Sequence, residues 1–243
     1  FATLLATVAR RLSMAIWPDK RLATVANNVA NMRTAGFRAE TVNFETVLSE
    51  YRVDRVSFAA VGATHLERQA GPIERTGNAL DVAIVGDGWF GVETPAGQGY
   101  SRDGRFTVDV DGTLTTVSGL PVLDDGAAPI IINPAAGPVD IAADGRISQD
   151  GQFVANLGLF ALAPTAQLTR FGDTAVLSNQ EAEPVEDRVA NGVRQGYKEG
   201  SNVNAITSIT ELIMVQRAFE YGNTAIGDRQ QSLQQAVRTL GAE

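Results

Sequence analysis

Few residues of this chain have the type and spacing that chemistry requires. His65 is the only histidine, which rules out multi-histidine metal sites and leaves one possible base for a triad. No serine lies in a recognisable nucleophile elbow. The absence of cysteine excludes disulfides, thiolate metal sites and a thiol nucleophile. Asp109-Val110-Asp111-Gly112 resembles a fragment of a calcium loop, but it lacks the later acidic ligand and the flanking helices, so it reads as a hairpin turn. Gly86-Asp87-Gly88 is followed by neither a helix nor Gly-Lys-Ser/Thr and is no phosphate loop. Acids are abundant, so a carboxylate-pair hydrolase acting on the cell wall stays open; it would need two acids facing one cleft at a fixed separation. No residue is singled out as catalytic, cofactor-binding or metal-ligating, and no cofactor is expected.

The side chains with a readable chemistry are amides. Gln216, Asn223 and Gln230 recur once per heptad, on a row that begins at Ile209 and ends at Val237. Amides at such seam positions fix register and partner number at a cost in stability, although the same row also suits a merely exposed edge. Asn27 and Asn31 lie one helical turn apart beside Val25 and Val29, with Asn28 adjacent. Amides beside an apolar face can bond the backbone of a neighbouring chain, or simply fray into a turn.

The elements that must position these amides lie at the two ends. From Ala205, a companion row of Leu212, Phe219, Ile226, Leu233 and Leu240 completes a heptad seam over about five repeats. A helix of that length is about 50 Å long. Ser201 and Asn204 are its candidate N-caps. Gly222 and Gly227 weaken it by roughly 1 kcal/mol each relative to Ala, so the helix needs partners. At the other end, Leu5, Val8, Leu12, Ala15, Leu22, Val25, Val29 and Met32 fit one broad helical face. Pro18 splits this run into pieces near 2–16 and 19–33, with Gly36 as a left-handed terminator.

Between the ends the character changes. Asp-Gly pairs at 87, 103, 111, 125, 144 and 150 and Asn-Gly at 191 separate short β-prone runs such as Trp89-Phe90-Gly91-Val92 and Arg105-Phe106-Thr107-Val108. Such pairs between apolar runs predict antiparallel hairpins. The expected fold class is therefore mixed α and β: terminal helices forming a coiled-coil stalk, and a central antiparallel all-β domain. The expected segments are a helical assembly segment at 1–36, an extended arm at 37–75, the all-β domain at 76–198 and a coiled-coil helix at 199–243.

Composition narrows the partners. The net charge of −8 argues against nucleic acid or an anionic lipid surface. Residues 1–38 nevertheless carry Arg10, Arg11, Lys20, Arg21, Arg33 and Arg38 against the single acid Asp19. A basic end on an acidic body suits pairing between subunits, or a solvated charged face. No apolar run approaches the ~18 residues of a membrane span. The apolar start precedes Arg10 and Arg11, the reverse of a cleavable signal, so no signal peptide is expected.

Leu22-Ala23-Thr24-Val25-Ala26-Asn27-Asn28-Val29-Ala30-Asn31, continuing to Thr34-Ala35-Gly36-Phe37-Arg38, resembles the N-terminal signature of the flagellar rod and hook proteins. Gly200-Ser201-Asn202-Val203-Asn204-Ala205, with Val215-Gln216-Arg217-Ala218-Phe219-Glu220, resembles their C-terminal signature. Gly77 to Ile84, Gly86 to Phe90 and Tyr100 to Gly104 resemble the central domain those proteins share. The likeness covers nearly the whole chain. It departs at Trp17-Pro18-Asp19, where the family helix is normally continuous, and at Thr207-Ser208, where relatives often carry acids.

The resemblance implies a structural, non-enzymatic axial component of the bacterial flagellar basal body. Its implied partners are itself and other proximal and distal rod subunits, reached through the flagellar type III export apparatus, in a tube that crosses the periplasm and transmits torque. Trp89, the compact size and Glu199–Asn204 favour a proximal rod subunit, with a distal one as the nearest alternative. The expected assembly interface is Leu22, Val25, Asn27, Asn28, Val29, Asn31, Gly36, Phe37, Asn202, Asn204, Ile209, Leu212, Gln216, Phe219, Asn223, Ile226, Gln230, Leu233, Val237 and Leu240. A soluble β-domain adhesin or adapter with a helical oligomerisation stalk is the alternative from another class.

Overall fold

The structure is a computed structural model that describes residues 20–49 and 56–240. The expected helical piece at 2–16 and the break at Pro18 lie outside the described residues. Within them the chain forms seventeen strands and two helices. The first helix, α1, covers residues 20–30, and the second, α2, covers Ala205–Leu240.

The expected coiled-coil stalk is corrected by this architecture, which is mostly β. The described part of α1 is eleven residues, about 16 Å, against 36 residues and about 54 Å for α2. A seam of knobs and holes needs at least three to four heptads on each helix, and the described part of α1 shows no such stalk. The segment expected as an extended arm at 37–75 holds two long strands, Glu40–Ser49 and Val56–Leu66, paired as a two-stranded sheet.

The chain divides into two compact units. Unit 1 draws on residues 1–30, 40–64 and 204–243, so among the described residues it holds α1, most of the long two-stranded sheet and α2. In it, Arg21 of α1 donates through Nη2 to Glu211 Oε1 of α2 at 2.7 Å and through Nε at 3.2 Å. Both side chains are about one-third exposed, so this pair is screened and contributes little stability.

Unit 2 comprises residues 31–39 and 65–203 and is almost entirely antiparallel β-structure. Its largest sheet has six strands in the order Leu168–Phe171, Ala175–Ser178, Gly97–Ser101, Trp89–Thr94, Leu159–Ala161, Glu183–Pro184. A three-stranded sheet runs Gln152–Asn156, Arg146–Gln149, Val139–Ile141. Strand alternation sends neighbouring aromatics to different cores. Phe90 enters a cluster with Val82, Phe106, Leu114, Val122 and Ile147, while Trp89 joins Leu66, Tyr100, Phe160 and Val176. Phe90 meets Phe106 edge to face at 5.1 Å, a favoured aromatic geometry.

The Asp-Gly pairs serve more than one purpose. Asp150-Gly151 joins Arg146–Gln149 to Gln152–Asn156 with both residues at positive φ, 49° and 75°, as a tight two-residue hairpin requires. Asp103-Gly104 adopts no positive φ; the Gly104 carbonyl accepts the Val82 amide at 2.8 Å instead.

Candidate functional site

Residues 31–39 and 199–203, one from each signature, meet on the Trp89–Ser101 region of unit 2. α1 ends in a turn in which Thr34 N–H donates to Asn31 O at 3.1 Å and Thr34 Oγ1 to Asn31 Oδ1 at 3.0 Å. Gly36 then takes φ +68°, which an L side chain adopts only at a cost. The reversal turns Ala35, Gly36, Phe37 and Arg38 into the interior, where all four are buried. The Gly36 amide donates to Glu199 O at 2.9 Å.

At the centre of this junction sits a buried charge cluster. Arg38 and Glu199 are each 1% exposed, and Arg38 Nη2 lies 2.5 Å from Glu199 Oε1. Arg102 Nη1 donates to Glu199 Oε2 at 3.1 Å, and its Nη2 donates to Gly86 O at 3.2 Å. Glu199 Oε1 also accepts the Gly71 amide at 2.9 Å. The two guanidinium carbons stand 5.6 and 5.5 Å from the centre of the Trp89 ring. That is within cation–π range, so the indole shares with Glu199 the task of holding two cations. Burial pulls the Arg102 guanidinium below its ordinary value; Glu199 opposes this and the positive Arg38 adds to it. Arg38 Nε and Nη1 make no hydrogen bond among the described residues, so charge and stacking hold this side chain rather than directed bonding.

Asn202 ties three stretches of chain at one point. Its Oδ1 accepts the Ala39 amide at 2.7 Å, and its Nδ2 donates to Gln69 O at 2.9 Å and Glu67 O at 3.4 Å. Its own amide donates to Phe37 O at 3.3 Å. Arg170 closes the other side, with its guanidinium carbon 4.2 Å from the centre of the Phe37 ring and Nη2 donating to Arg38 O at 2.6 Å.

The remaining expected interface residues belong to unit 1. Val25 is buried on α1, and Leu22 and Val29 are half-buried, as is Asn27. Asn28 is buried and paired with its own chain: Nδ2 donates to Glu40 O at 2.8 Å, and Oδ1 accepts the Glu40 amide at 2.9 Å. Asn204 caps α2, accepting the Thr207 amide at 3.1 Å. Along α2 the covered row is Ala205, Ser208, Leu212, Val215 and Phe219, of which Val215 is buried. This row shares Leu212 and Phe219 with the expected seam, but its second line is offset by one residue from Ile209 and Gln216, which are exposed. Asn223, Ile226, Gln230, Leu233, Val237 and Leu240 lie on α2, and their side chains are outside those described. Ile206, Ile209 and Ile213 form an uncovered apolar stripe, 81%, 41% and 45% exposed.

Arg38, Trp89, Arg102 and Glu199 were absent from the expected interface. They come from three distant segments, so no local period joins them. The available signal was an arginine two residues after Gly36 and an acid directly before Gly200-Ser201-Asn202. Among the described residues no group of three His, Cys, Asp or Glu side chains is placed to hold a metal ion, and no helix is long and apolar enough to cross a membrane.

The chain is similar to known proteins over most of its length. Three family models match: "Flagella basal body rod protein" over residues 18–38, "Flagellar hook protein FlgE/F/G D1 domain" over 83–149, and "Flagellar basal body rod FlgEFG protein C-terminal" over 194–239. The buried cluster takes Arg38 from the first span, Trp89 and Arg102 from the second, and Glu199 from the third. Among curated proteins, the flagellar basal-body rod protein FlgF of Rhizobium meliloti is 44% identical over 223 residues, covering 92% of each chain. FlgF of Mesorhizobium japonicum is 44% identical over 238 residues, 97% of each chain. The flagellar basal-body rod protein FlgG of Bacillus subtilis is 30% identical over 250 residues, 89% of this chain and 92% of that one.

Proposed function

Because this chain belongs to the flagellar basal-body rod protein family, we propose that it builds the shaft by polymerising helically through α2, with the β-structured unit 2 as the body of each subunit. It is a structural component of the basal body, not an enzyme, and assembles into the rod with other flagellar components. Its identity to the two FlgF relatives exceeds its identity to the FlgG relative.

The observation that carries the proposal is the stripe of Ile206, Ile209 and Ile213, left uncovered in a single subunit on a 36-residue helix. An exposed apolar row of this kind marks a protein contact. A heterologous contact that does not close on itself generates a filament, and a shaft needs many lateral contacts per subunit. The interface we assign comprises this stripe with Leu212, Gln216, Phe219, Asn223, Ile226, Gln230, Leu233, Val237 and Leu240 of α2. To these we add Leu22, Asn27 and Val29 from the α1 end.

The rod would cross the periplasm and carry torque, and its subunits would reach it through the flagellar type III export apparatus; the family membership supports both. We place this chain in the proximal rod. A distal-rod position is the second reading, favoured by the match to FlgG over 89% of the chain. Removal of residues 205–243 is the test. Unit 2 should stay folded, and the truncated chain should neither enter basal bodies nor restore swimming. Normal incorporation of the truncated chain would overturn the assignment of α2.

A further inference from the structure

Residues 31–39 precede and follow segments of unit 1 in sequence, yet they belong to unit 2. Among the described residues, the bonds that seat them come from unit 2 itself. Their backbone gives the Gly36 amide to Glu199 O and the Ala39 amide to Asn202 Oδ1, and accepts the Asn202 amide on Phe37 O and the Glu67 amide on Ala39 O. Their side chains put Phe37 under Arg170 and Arg38 on Glu199. Four consecutive buried residues, with backbone groups matched to two distant segments, make a built seat rather than a passing contact.

We propose that residues 31–39 are a closing strap for unit 2, and that the motif Thr34–Arg38 acts with Glu199 and Asn202 inside one subunit before any subunit meets another. This goes beyond the assembly reading and removes Gly36, Phe37 and Asn202 from the interface between subunits. The charge arrangement states what holds the strap. Glu199 is the carboxylate that both Arg38 and Arg102 meet, with the Trp89 ring within cation–π range of both guanidinium groups. Without its charge, two buried guanidinium groups would face each other without the carboxylate they share, with Asp87 left to act on Arg102, and the cheapest relief is for the strap to carry Arg38 out. Without Arg38, by contrast, Glu199 and Arg102 remain a neutral pair. Glu199 therefore matters more than Arg38, and the loss of Glu199 is eased when Arg38 is lost too.

The test uses the full chain as a monomer verified by sedimentation, in a Trp17→Phe background so that Trp89 is the sole emitter. Readouts are Trp89 emission, urea unfolding, and amide exchange at Gly36, Ala39, Glu67 and Asn202. Glu199→Gln should shift Trp89 emission to the red and raise the unfolding constant about a hundredfold or more, because a buried pair has been broken. Exchange at the four amides should accelerate with it. Arg38→Met in the Glu199→Gln background should recover at least tenfold. If Glu199→Gln does not fold, Asn202→Ala decides, since it removes bonds without stranding a charge: exchange at Ala39 should rise about tenfold in the monomer. The proposal is overturned if the monomer keeps wild-type emission, midpoint and exchange while only incorporation into basal bodies fails, if Arg38→Met rescues nothing, or if Asn202→Ala leaves Ala39 exchange unchanged. Deletion of 205–243 tests assembly through α2 separately, since the strap and its seat end before Asn204.

Discussion

Asn28 and Glu40 are joined as two paired strand residues would be, with a side-chain amide standing in for one backbone. Asn28 Nδ2 donates to Glu40 O at 2.8 Å, and Asn28 Oδ1 accepts the Glu40 amide at 2.9 Å. The pair fixes where the chain re-enters unit 1 to begin the strand Glu40–Ser49. An amide that the sequence offers to a neighbouring subunit thus has both bonding groups engaged at home.

Asn28→Ala should therefore destabilise the lone subunit. It removes both hydrogen bonds that the side chain makes to the Glu40 backbone, at about 0.5–1.5 kcal/mol each. Asn28→Asp should cost at least as much, because its second carboxylate oxygen would face the Glu40 carbonyl in a buried site. Thermal unfolding of monomer checks this. Wild-type stability in both variants, with assembly alone impaired, would return Asn28 to the interface between subunits.

Gly36 and Gly77 share a left-handed backbone, φ +68° and +78°, but differ in surroundings. A Cβ at Gly36 would lie 2.1 Å from the Asp103 amide nitrogen, whereas one at Gly77 would meet nothing within 4 Å. Gly77→Ala should cost only the backbone strain, about 1–2 kcal/mol. Gly36→Ala must also push the strap off the Arg102–Asp103 backbone and should cost at least twice as much. Chemical denaturation of the two variants side by side makes the comparison; equal losses would mean that residues 35–37 yield easily.

α2 presents two faces with different expected behaviour. Val215 is buried in the single subunit, and removing its two methyl groups should cost about 1–2 kcal/mol of subunit stability. Ile209 and Ile213 are exposed there, so Ile209→Ser with Ile213→Ser should change subunit stability by no more than about 1 kcal/mol in total. The double variant should nonetheless lose incorporation into basal bodies and swimming. Urea melts paired with a motility assay separate the two faces. Normal swimming by the double variant would remove the isoleucine stripe from the interface.

Short-range chemistry was the part legible in the sequence. Gly36 reads as a left-handed terminator because only glycine takes that conformation freely, and Asn204 reads as a cap because its amide reaches three residues ahead. The Asp150-Gly151 hairpin follows from the same local rules. The second line of the α2 seam did not follow. Residues 208 and 209 both fit a heptad with 205 and 212, and a serine at 208 hides a row whose next member is the buried Val215. The stalk was misread because a seam on one helix says nothing about the length of its partner. The Arg38–Glu199–Arg102 cluster on Trp89 is non-local, and no pattern of period two or 3.6 runs through it.

The central claim is that this chain is a rod subunit held to its neighbours through α2. A density map of basal bodies assembled with this chain tests it most directly. Subunits of this chain should lie within the rod, with the Ile206, Ile209 and Ile213 face of α2 covered by an adjacent subunit. A rod that contains the chain with this face open to solvent, or a rod from which the chain is missing, would contradict it.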